Sequence, residues 1–429
     1  MSKSPLKIAI AGLGTVGGGT VHLLHDHAEM LAARAGRPLA LVGVAALAKP
    51  ADLPLDGIPF HTDARAMAAQ ADYDVLVELI GGAGGIALEV VTTALSRGKS
   101  VVTANKAMIA HHGVELARLA EAKGGNIGFE ASVGGGIPII KSLREGLAGN
   151  RVGKVMGILN GTCNYILTTM RETGRDFADV LAEAQALGYA EADPTFDIDG
   201  IDTAHKLAIL ASLAFAMPVN LDGVACEGIR HVSALDIRYA DELGYRIKLL
   251  GVASLTEAGV EARVYPAMVP LSFPLAHVGG PFNAIVTEGD FVGRTVLEGR
   301  GAGARPTASA VVADLMDLAS GRVMPTFGVT VDALTAIPAA PAGSHRSAYY
   351  IRLMVRDEPG VFADIAAALR DERVSMEQVI QRGRAPSEIV PVVMTMHETD
   401  EASMLRALAR IGALPAVAEP PRLIRIENL

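Results

Sequence analysis

Apolar and polar positions follow two rhythms along the chain. In the first third, short apolar runs alternate with stretches of helical periodicity. Lys7–Ala11, Leu39–Ala45, Asp74–Ile80, Ser100–Thr103 and Ile127–Glu130 read as buried strands. Between them, 15–35, 86–97 and 113–123 read as helices. Strands that alternate with helices predict a parallel sheet covered on both faces. A further helix is predicted near 138–147. After it, strand-like pieces at 152–160, 246–253, 261–265 and 284–287 share the chain with helices that end near Met170 and span 177–187. This part reads as α+β with a sheet that is not parallel. A helix over 307–319 is placed to return to the first unit. Pro338–Gly343 (PAAPAG) has linker composition. The last 80 or so residues read β-α-β-β-α-β, a ferredoxin-like module. The expected fold class is therefore α/β in three parts. A nucleotide-binding unit spans 1–135 and is completed by about 303–330. An α+β unit spans 136–302, a linker 331–347, and a regulatory-type module 348–429.

Composition narrows the function classes. The 429 residues carry a formal net charge of −9 and no basic block, which argues against nucleic acid as partner. Only two cysteines occur, Cys163 and Cys226, without metal-type spacing, and a reducing cytoplasm is expected. The N-terminus enters a strand directly, without a signal-peptide pattern, and no apolar run has the length of a membrane span.

The first strand leads into Gly12-Leu13-Gly14-Thr15-Val16-Gly17, a GxGxxG turn that opens a helix. In a strand–turn–helix–strand context this is a dinucleotide (Rossmann-type) fingerprint. The first glycine makes the tight turn, the second lets a pyrophosphate approach, and the third lets helix and strand pack. The second strand ends in Ala45-Ala46-Leu47-Ala48-Lys49 and lacks the acid that reads an NAD ribose. Lys49 is then either near a 2′-phosphate or a solvated loop lysine. The pattern leans to NADP, with NAD use left open. Thr103 and Lys106 lie at the carboxyl end of a strand, where ligands of open parallel sheets bind. Glu130 to Pro138 is a glycine-rich bend; it joins one carboxylate to backbone carbonyls, as a hard cation requires, or is a plain turn into a helix.

The chemistry-bearing stretch is GYAEADPTFDIDGIDTAHK, Gly188 to Lys206. It holds Glu191, Asp193, Asp197, Asp199 and Asp202 before Lys206. Asp202 and Lys206 are four apart, so a helix opening at Asp202 puts both on one face, with the apolar run LAILASLAFAM behind them. Charges on the front of a buried helix are costly unless they bind something. The alternative is an acidic loop with an ordinary ion pair. Cys163 is weighed as a nucleophile and read as packing, since no base histidine stands beside it. The histidines show no metal geometry.

Taken in order, GLGTVG, TANK, FEASVGGGIPII, LNGTCNYIL, GYAEADPTFDIDGIDTAHKL and GAGARPTASAVVADL resemble the homoserine dehydrogenase family. VRDEPGVFADIA resembles an ACT domain. The resemblance covers nearly the whole chain and implies NAD(P)-dependent interconversion of L-homoserine and L-aspartate 4-semialdehyde. It implies Lys206 as proton donor to the carbonyl oxygen and Lys106 as a second catalytic lysine beside substrate and cofactor; Asp202 is the third catalytic group, orienting Lys206 or a water. Glu191, Asp197 and Asp202 are then the substrate-binding acids. Gly12 to Gly17, Thr103, Lys106, Gly188 and Gly303 would line the cofactor. Glu130 and the carbonyls of Val133, Gly135 and Ile137 would hold a monovalent cation, sodium or potassium. Asp357, Gly360 and Val361 lie at the turn where an amino-acid effector, threonine by resemblance, would bind, and a chain cut after about Gly343 is expected to stay active without threonine sensitivity. A homodimer or homotetramer is implied. With no kinase segment before the Rossmann unit, the resemblance is to a monofunctional form. The competing readings are a cysteine-dependent semialdehyde dehydrogenase and a non-catalytic amino-acid sensor.

Overall fold

The computed structural model describes residues 4–341, 343, 345–382 and 388–427. Six strands form the first sheet: β1 (Leu6–Ala11), β2 (Leu39–Ala45), β3 (Phe60–His61), β4 (Val75–Glu78), β5 (Ser100–Thr103) and β6 (Ile127–Gly128). All pair in parallel, in the order β3-β2-β1-β4-β5-β6. This is the doubly wound dinucleotide-binding order, whose switch point lies between β1 and β4. Helix Ala304–Ser320 returns to this unit and packs on helix Thr15–Asp26.

The remaining strands are β7 (Val152–Ile158), β8 (Val224–Cys226), β9 (Tyr245–Thr256), β10 (Gly259–Pro270), β11 (Phe282–Gly289), β12 (Gly293–Arg300), β13 (Arg346–Arg356), β14 (Met376–Gln381), β15 (Ile389–Asp400) and β16 (Arg422–Ile426). Among the described residues they form one mixed sheet, β12-β11-β7-β9-β10-β16-β13-β15-β14, with β8 added on β10. The C-terminal module has the expected βαββαβ order and its own core around Tyr349, Ile351, Leu353 and Met394. It does not stand apart, however. Its last strand β16 pairs in parallel with β10 (Ala267↔Arg425, Met268↔Ile426) and fuses the two sheets. The Pro/Ala segment is tied down as well: Val260 donates to the Pro338 carbonyl at 2.9 Å and Ala340 donates back to Val260 at 2.8 Å.

Several elements differ from the periodicity reading. The long first helix is interrupted at His27. The helix expected to start at Gly113 starts at Lys106, capped by Asn105, whose side chain accepts from Met108 N at 3.0 Å. The helix expected over 138–147 is only Ile139–Lys141 followed by a wide π turn, Ser142–Gly146.

Candidate active site

Three elements bring the charged groups together. Helix Ile201–Phe215 opens after Gly200 and is buried along nearly its whole length. It carries Asp202 in its first turn and Lys206 one turn later on the same face. Strand β7 ends just before Leu159 and Asn160. Helix Lys106–Lys123 begins with Lys106 itself.

Lys206 Nζ donates to Asp202 Oδ2 at 2.7 Å and to the Leu159 carbonyl at 2.7 Å. An ammonium has three N–H donors, so one remains. Lys106 Nζ lies 2.5 Å from Asp202 Oδ1, as an ion pair without hydrogen-bond alignment. Its side chain is one-third exposed and passes over the Phe196 ring. Asn160 links the acids: its Nδ2 donates to Asp202 Oδ2 at 2.9 Å and to Asp197 Oδ1 at 2.8 Å. Its Oδ1 accepts from Cys163 N at 2.8 Å and so caps the next helix.

Burial pushes the Asp202 carboxyl upward, but Lys206 and Lys106 outweigh it and hold it well below the usual carboxylate range. Burial lowers the Lys206 ammonium; Asp202 opposes this, Lys106 reinforces it, and the result lies below an ordinary lysine. Burial raises Asp197. The Cys163 thiol is fully buried, pushed well above its usual range by that burial, and directed at the Asp197 carbonyl. That is the packing role expected of it.

The acidic stretch therefore divides. Asp202 meets both lysines, and Asn160 ties Asp197 to Asp202. Asp199 pairs with Arg230, and Asp193 accepts from Thr195 N at 3.1 Å. Glu191 is exposed, on the turn where Gln185 holds its carbonyl, and Gly188 lies on the same turn with φ +75°.

The nucleotide crevice lies at the switch point. At Gly12 (φ +104°) a Cβ would stand 2.5 Å from the Leu79 carbonyl, and at Gly17 one would stand 2.1 Å from the Gly12 carbonyl, so both glycines are required by contact. Gly14 has nothing within 4 Å, which leaves its backbone open to a pyrophosphate. Cavities of about 610 and 560 Å³ flank the turn. Leu13 and Gly14 line both, Gly12 the larger one, and Thr15 the smaller. The larger holds Ala45, Ala46 and Leu47 with Asp63 and Arg65; Lys49 is not part of either lining. Gly303 precedes the helix that carries Arg305 into the smaller one.

Glu78 is a site residue that periodicity missed. It is fully buried at the end of β4, accepts from Thr103 Oγ1 at 2.6 Å, and takes Ile80 N and Gly81 N on its other oxygen at 2.8 and 2.9 Å. Thr103 in turn accepts from Asn105 N at 2.9 Å. This chain of bonds fixes the loop ends that frame the crevice and the start of the Lys106 helix. Its one legible sign was an acid closing an otherwise apolar strand.

Glu130 is buried, and its two carboxyl oxygens accept Ile140 N and Lys141 N at 2.9 and 2.8 Å. Burial first, then the Asp314 charge, push it up to about 7. The Val133 and Gly135 carbonyls accept no hydrogen bond among the described residues, whereas the Ile137 carbonyl takes Ile139 N at 2.8 Å. Among the described residues no group of three or more His, Cys, Asp or Glu has metal-site geometry. In the C-terminal module, Gly360 (φ +99°) precedes helix Val361–Asp371, and Asp357 N donates to the Glu388 carbonyl. Among the described residues, no helix is long and apolar enough to cross a membrane.

A crevice shaped for a dinucleotide beside a desolvated lysine is the equipment of a nicotinamide-dependent oxidoreductase. The family models agree: residues 12–130 match the homoserine dehydrogenase NAD-binding domain, 138–316 the homoserine dehydrogenase domain, and 349–416 the ACT domain. A homoserine dehydrogenase of Pseudomonas aeruginosa is 46% identical, with 99% of each chain covered. A crystal structure of a Thiobacillus denitrificans homoserine dehydrogenase superposes with a TM-score of 0.94 at 45% identity, over 100% of this chain and 99% of that one. A hyperthermophilic archaeal homoserine dehydrogenase in complex with NADPH matches with a TM-score of 0.64 at 27% identity, over 76% of this chain and all of that one. The chain belongs to the homoserine dehydrogenase family. It is an enzyme that interconverts L-homoserine and L-aspartate 4-semialdehyde, and it carries a C-terminal ACT domain.

Proposed function

We propose that Lys206 gives its proton to the aldehyde oxygen in reduction and takes it back in oxidation. The observation that carries this is its unassigned N–H on a buried ammonium of lowered pKa, held by Asp202 and the Leu159 carbonyl. When bound, the nicotinamide supplies or accepts the hydride. The residues do the rest. Lys206 and the partly exposed Lys106 stabilise negative charge that develops on the substrate oxygen. Asp202 orients both lysines. Asp197 and Glu191 take the substrate ammonium, with Asn160 setting the Asp197 carboxylate. Gly12 to Gly17, Thr103, Gly188 and Gly303 border the cofactor.

The cofactor assignment leans to NADP. Its support is Arg65, the cation of the larger cavity, together with the NADPH complex of the archaeal relative. The open Val133 and Gly135 carbonyls support a monovalent cation beside Glu130 and Ile137. The Asp357–Val361 turn is read as an effector site for threonine. The outer edges of β12 and β14, unpaired among the described residues, support a homodimer or homotetramer. The working units remain 1–135 with 303–330, 136–302, and 348–429.

The test is oxidation of L-homoserine followed at 340 nm, with NAD and NADP side by side and with or without L-threonine. Faster turnover with NADP and inhibition by threonine are expected. A preference for NAD removes the Arg65 argument, and unchanged turnover in threonine removes the effector assignment.

A further inference from the structure

A further charged cavity, of about 280 Å³, lies where the catalytic sheet meets the ACT module, and neither catalytic lysine lines it. Its floor is the mixed sheet. Lys154 on β7, Ser254 on β9 and Glu261 on β10 form one register row across three strands. Residues alternate between sheet faces. Gly251 meets Thr203 and Leu207 of the Lys206 helix, whereas Val252 and Ser254 line the cavity, which is therefore on the opposite face. The C-terminal module supplies His345, before β13, and Glu427, just beyond β16 of the same sheet.

Most charges in this cavity already have partners. Arg263 pairs with Glu261 and Glu401, and Arg346 with Glu398. Three groups have capacity left. Lys154 makes no hydrogen bond among the described residues, and its Nζ stands 3.6 Å from Glu427 Oε2, too far to donate. Glu427 is buried and receives the Tyr265 hydroxyl on its other oxygen. His345 Nδ1 lies 2.8 Å from Glu261 Oε1 without hydrogen-bond alignment, and its Nε2 is buried without a partner among the described residues. In the tautomer with the proton on Nδ1, Nε2 is an acceptor.

A loose lysine–glutamate pair with a buried acceptor beside it matches a ligand that bears one negative and one positive group on neighbouring atoms. The volume lies below the roughly 300–1,000 Å³ of drug-sized ligand pockets, so the ligand is small. We propose that this cavity binds a free α-amino acid, with its carboxylate on Lys154 and its ammonium on Glu427 and His345. The site is separate from the Asp357–Val361 turn and does not depend on it. Strand β7 joins it to catalysis, since the chain leaves β7 through Leu159 and Asn160, which hold Lys206 and Asp202.

The experiment is a thermal-shift screen of the full-length enzyme with each proteinogenic L-amino acid, followed by calorimetric titration of the best one. At least one amino acid is expected to raise the unfolding midpoint by about 2 °C or more at saturation. Its Kd should rise at least tenfold in Lys154→Gln and Glu427→Gln, and stay within twofold in Lys106→Ala and Asp357→Ala. Ser254→Leu fills the cavity without removing a charge and should also abolish binding, which keeps the test decisive if the charge variants unfold. The proposal is overturned if no amino acid shifts the wild-type midpoint, or if binding survives Ser254→Leu. Loss of binding only in Lys106→Ala assigns the ligand to the active site, and loss only in Asp357→Ala assigns it to the turn; either result also overturns it. A threonine effector at the turn fails separately, if threonine leaves turnover unchanged while another amino acid binds here.

Discussion

Two buried carboxylates, Asp202 and Asp236, sit in cores of similar dryness and have opposite surroundings. Asp236 joins helix Ala234–Glu242 to the ACT sheet. Its Oδ1 accepts Arg352 Nε at 2.7 Å and the Tyr350 hydroxyl at 3.1 Å; its Oδ2 accepts Arg352 at 3.2 Å and the Ser233 hydroxyl at 2.6 Å. One charge of each sign meets in a two-pronged pair, and every lone pair that matters is used. Around Asp202, two ammoniums crowd one carboxylate, one is partly open to solvent, and Lys206 retains a donor. A saturated cluster is a joint. An unsaturated one, with a donor left over, is arranged for an anion that arrives later, such as the oxygen of a carbonyl receiving hydride.

The contrast is broken most severely at Lys206. Lys206→Ala is expected to lower kcat by about 10²–10⁴-fold, the range of a lost general acid, with a much smaller change in KM. Steady-state kinetics in both directions measure this, and turnover within a few-fold of wild type would return Lys206 to a structural role. Arg352→Met makes the opposite prediction. It leaves Asp236 buried with the Tyr350 and Ser233 hydroxyls but no cation, at a cost of roughly 3–5 kcal/mol in unfolding free energy. The kcat per folded enzyme at 25 °C should stay within about threefold. Urea unfolding and active-site-normalised rates distinguish the two outcomes. For the same reason a cut after Gly343 is not a neutral truncation: it strips Arg352 from Asp236 and β16 from β10.

Much of this was legible in residues and spacing. The glycine turn, the parallel unit and the Asp202–Lys206 pair announce themselves because local rules produce them: tight-turn sterics, alternation of elements, and the four-residue repeat of a helix. The βαββαβ order of the last module was equally visible. What escaped was set by distant contacts. The Lys106 helix was read as starting only at Gly113. In the fold a Cβ at Gly113 would stand 3.1 Å from the Phe327 ring, so the glycine is a packing choice in mid-helix. Strand β12 and the short β3 carry too little pattern to stand out, and the fusion of two sheets through β16 rests on two residue pairs. Asn160 and Glu78 were missed as site residues because their roles depend on partners 37 and 25 residues away. Lys49 was considered for the phosphate because of its position after β2, and Arg65 lines the cavity because the chain returns there through β3.

The finest test of the comparison is the pH dependence that the unsaturated cluster implies. Lys206 must be protonated to donate in aldehyde reduction, so the rate falls as pH rises through its pKa. Burial lowers that pKa, and Asp202 raises it part of the way back. Asp202→Asn removes the raising charge while it keeps the shape. The basic limb of kcat for reduction should therefore move to lower pH in Asp202→Asn. Lys106→Met removes a lowering charge, and its limb should move to higher pH. Opposite displacements in the two variants would show that both groups act on the Lys206 proton. Displacements in the same direction, or none, would mean that the limb reports another group, and the proton-donor role would pass from Lys206. Asp236 bonds Arg352, Tyr350 and Ser233 and none of the reacting groups, so Arg352→Met should leave the pH profile of the folded enzyme in place even as it weakens the fold.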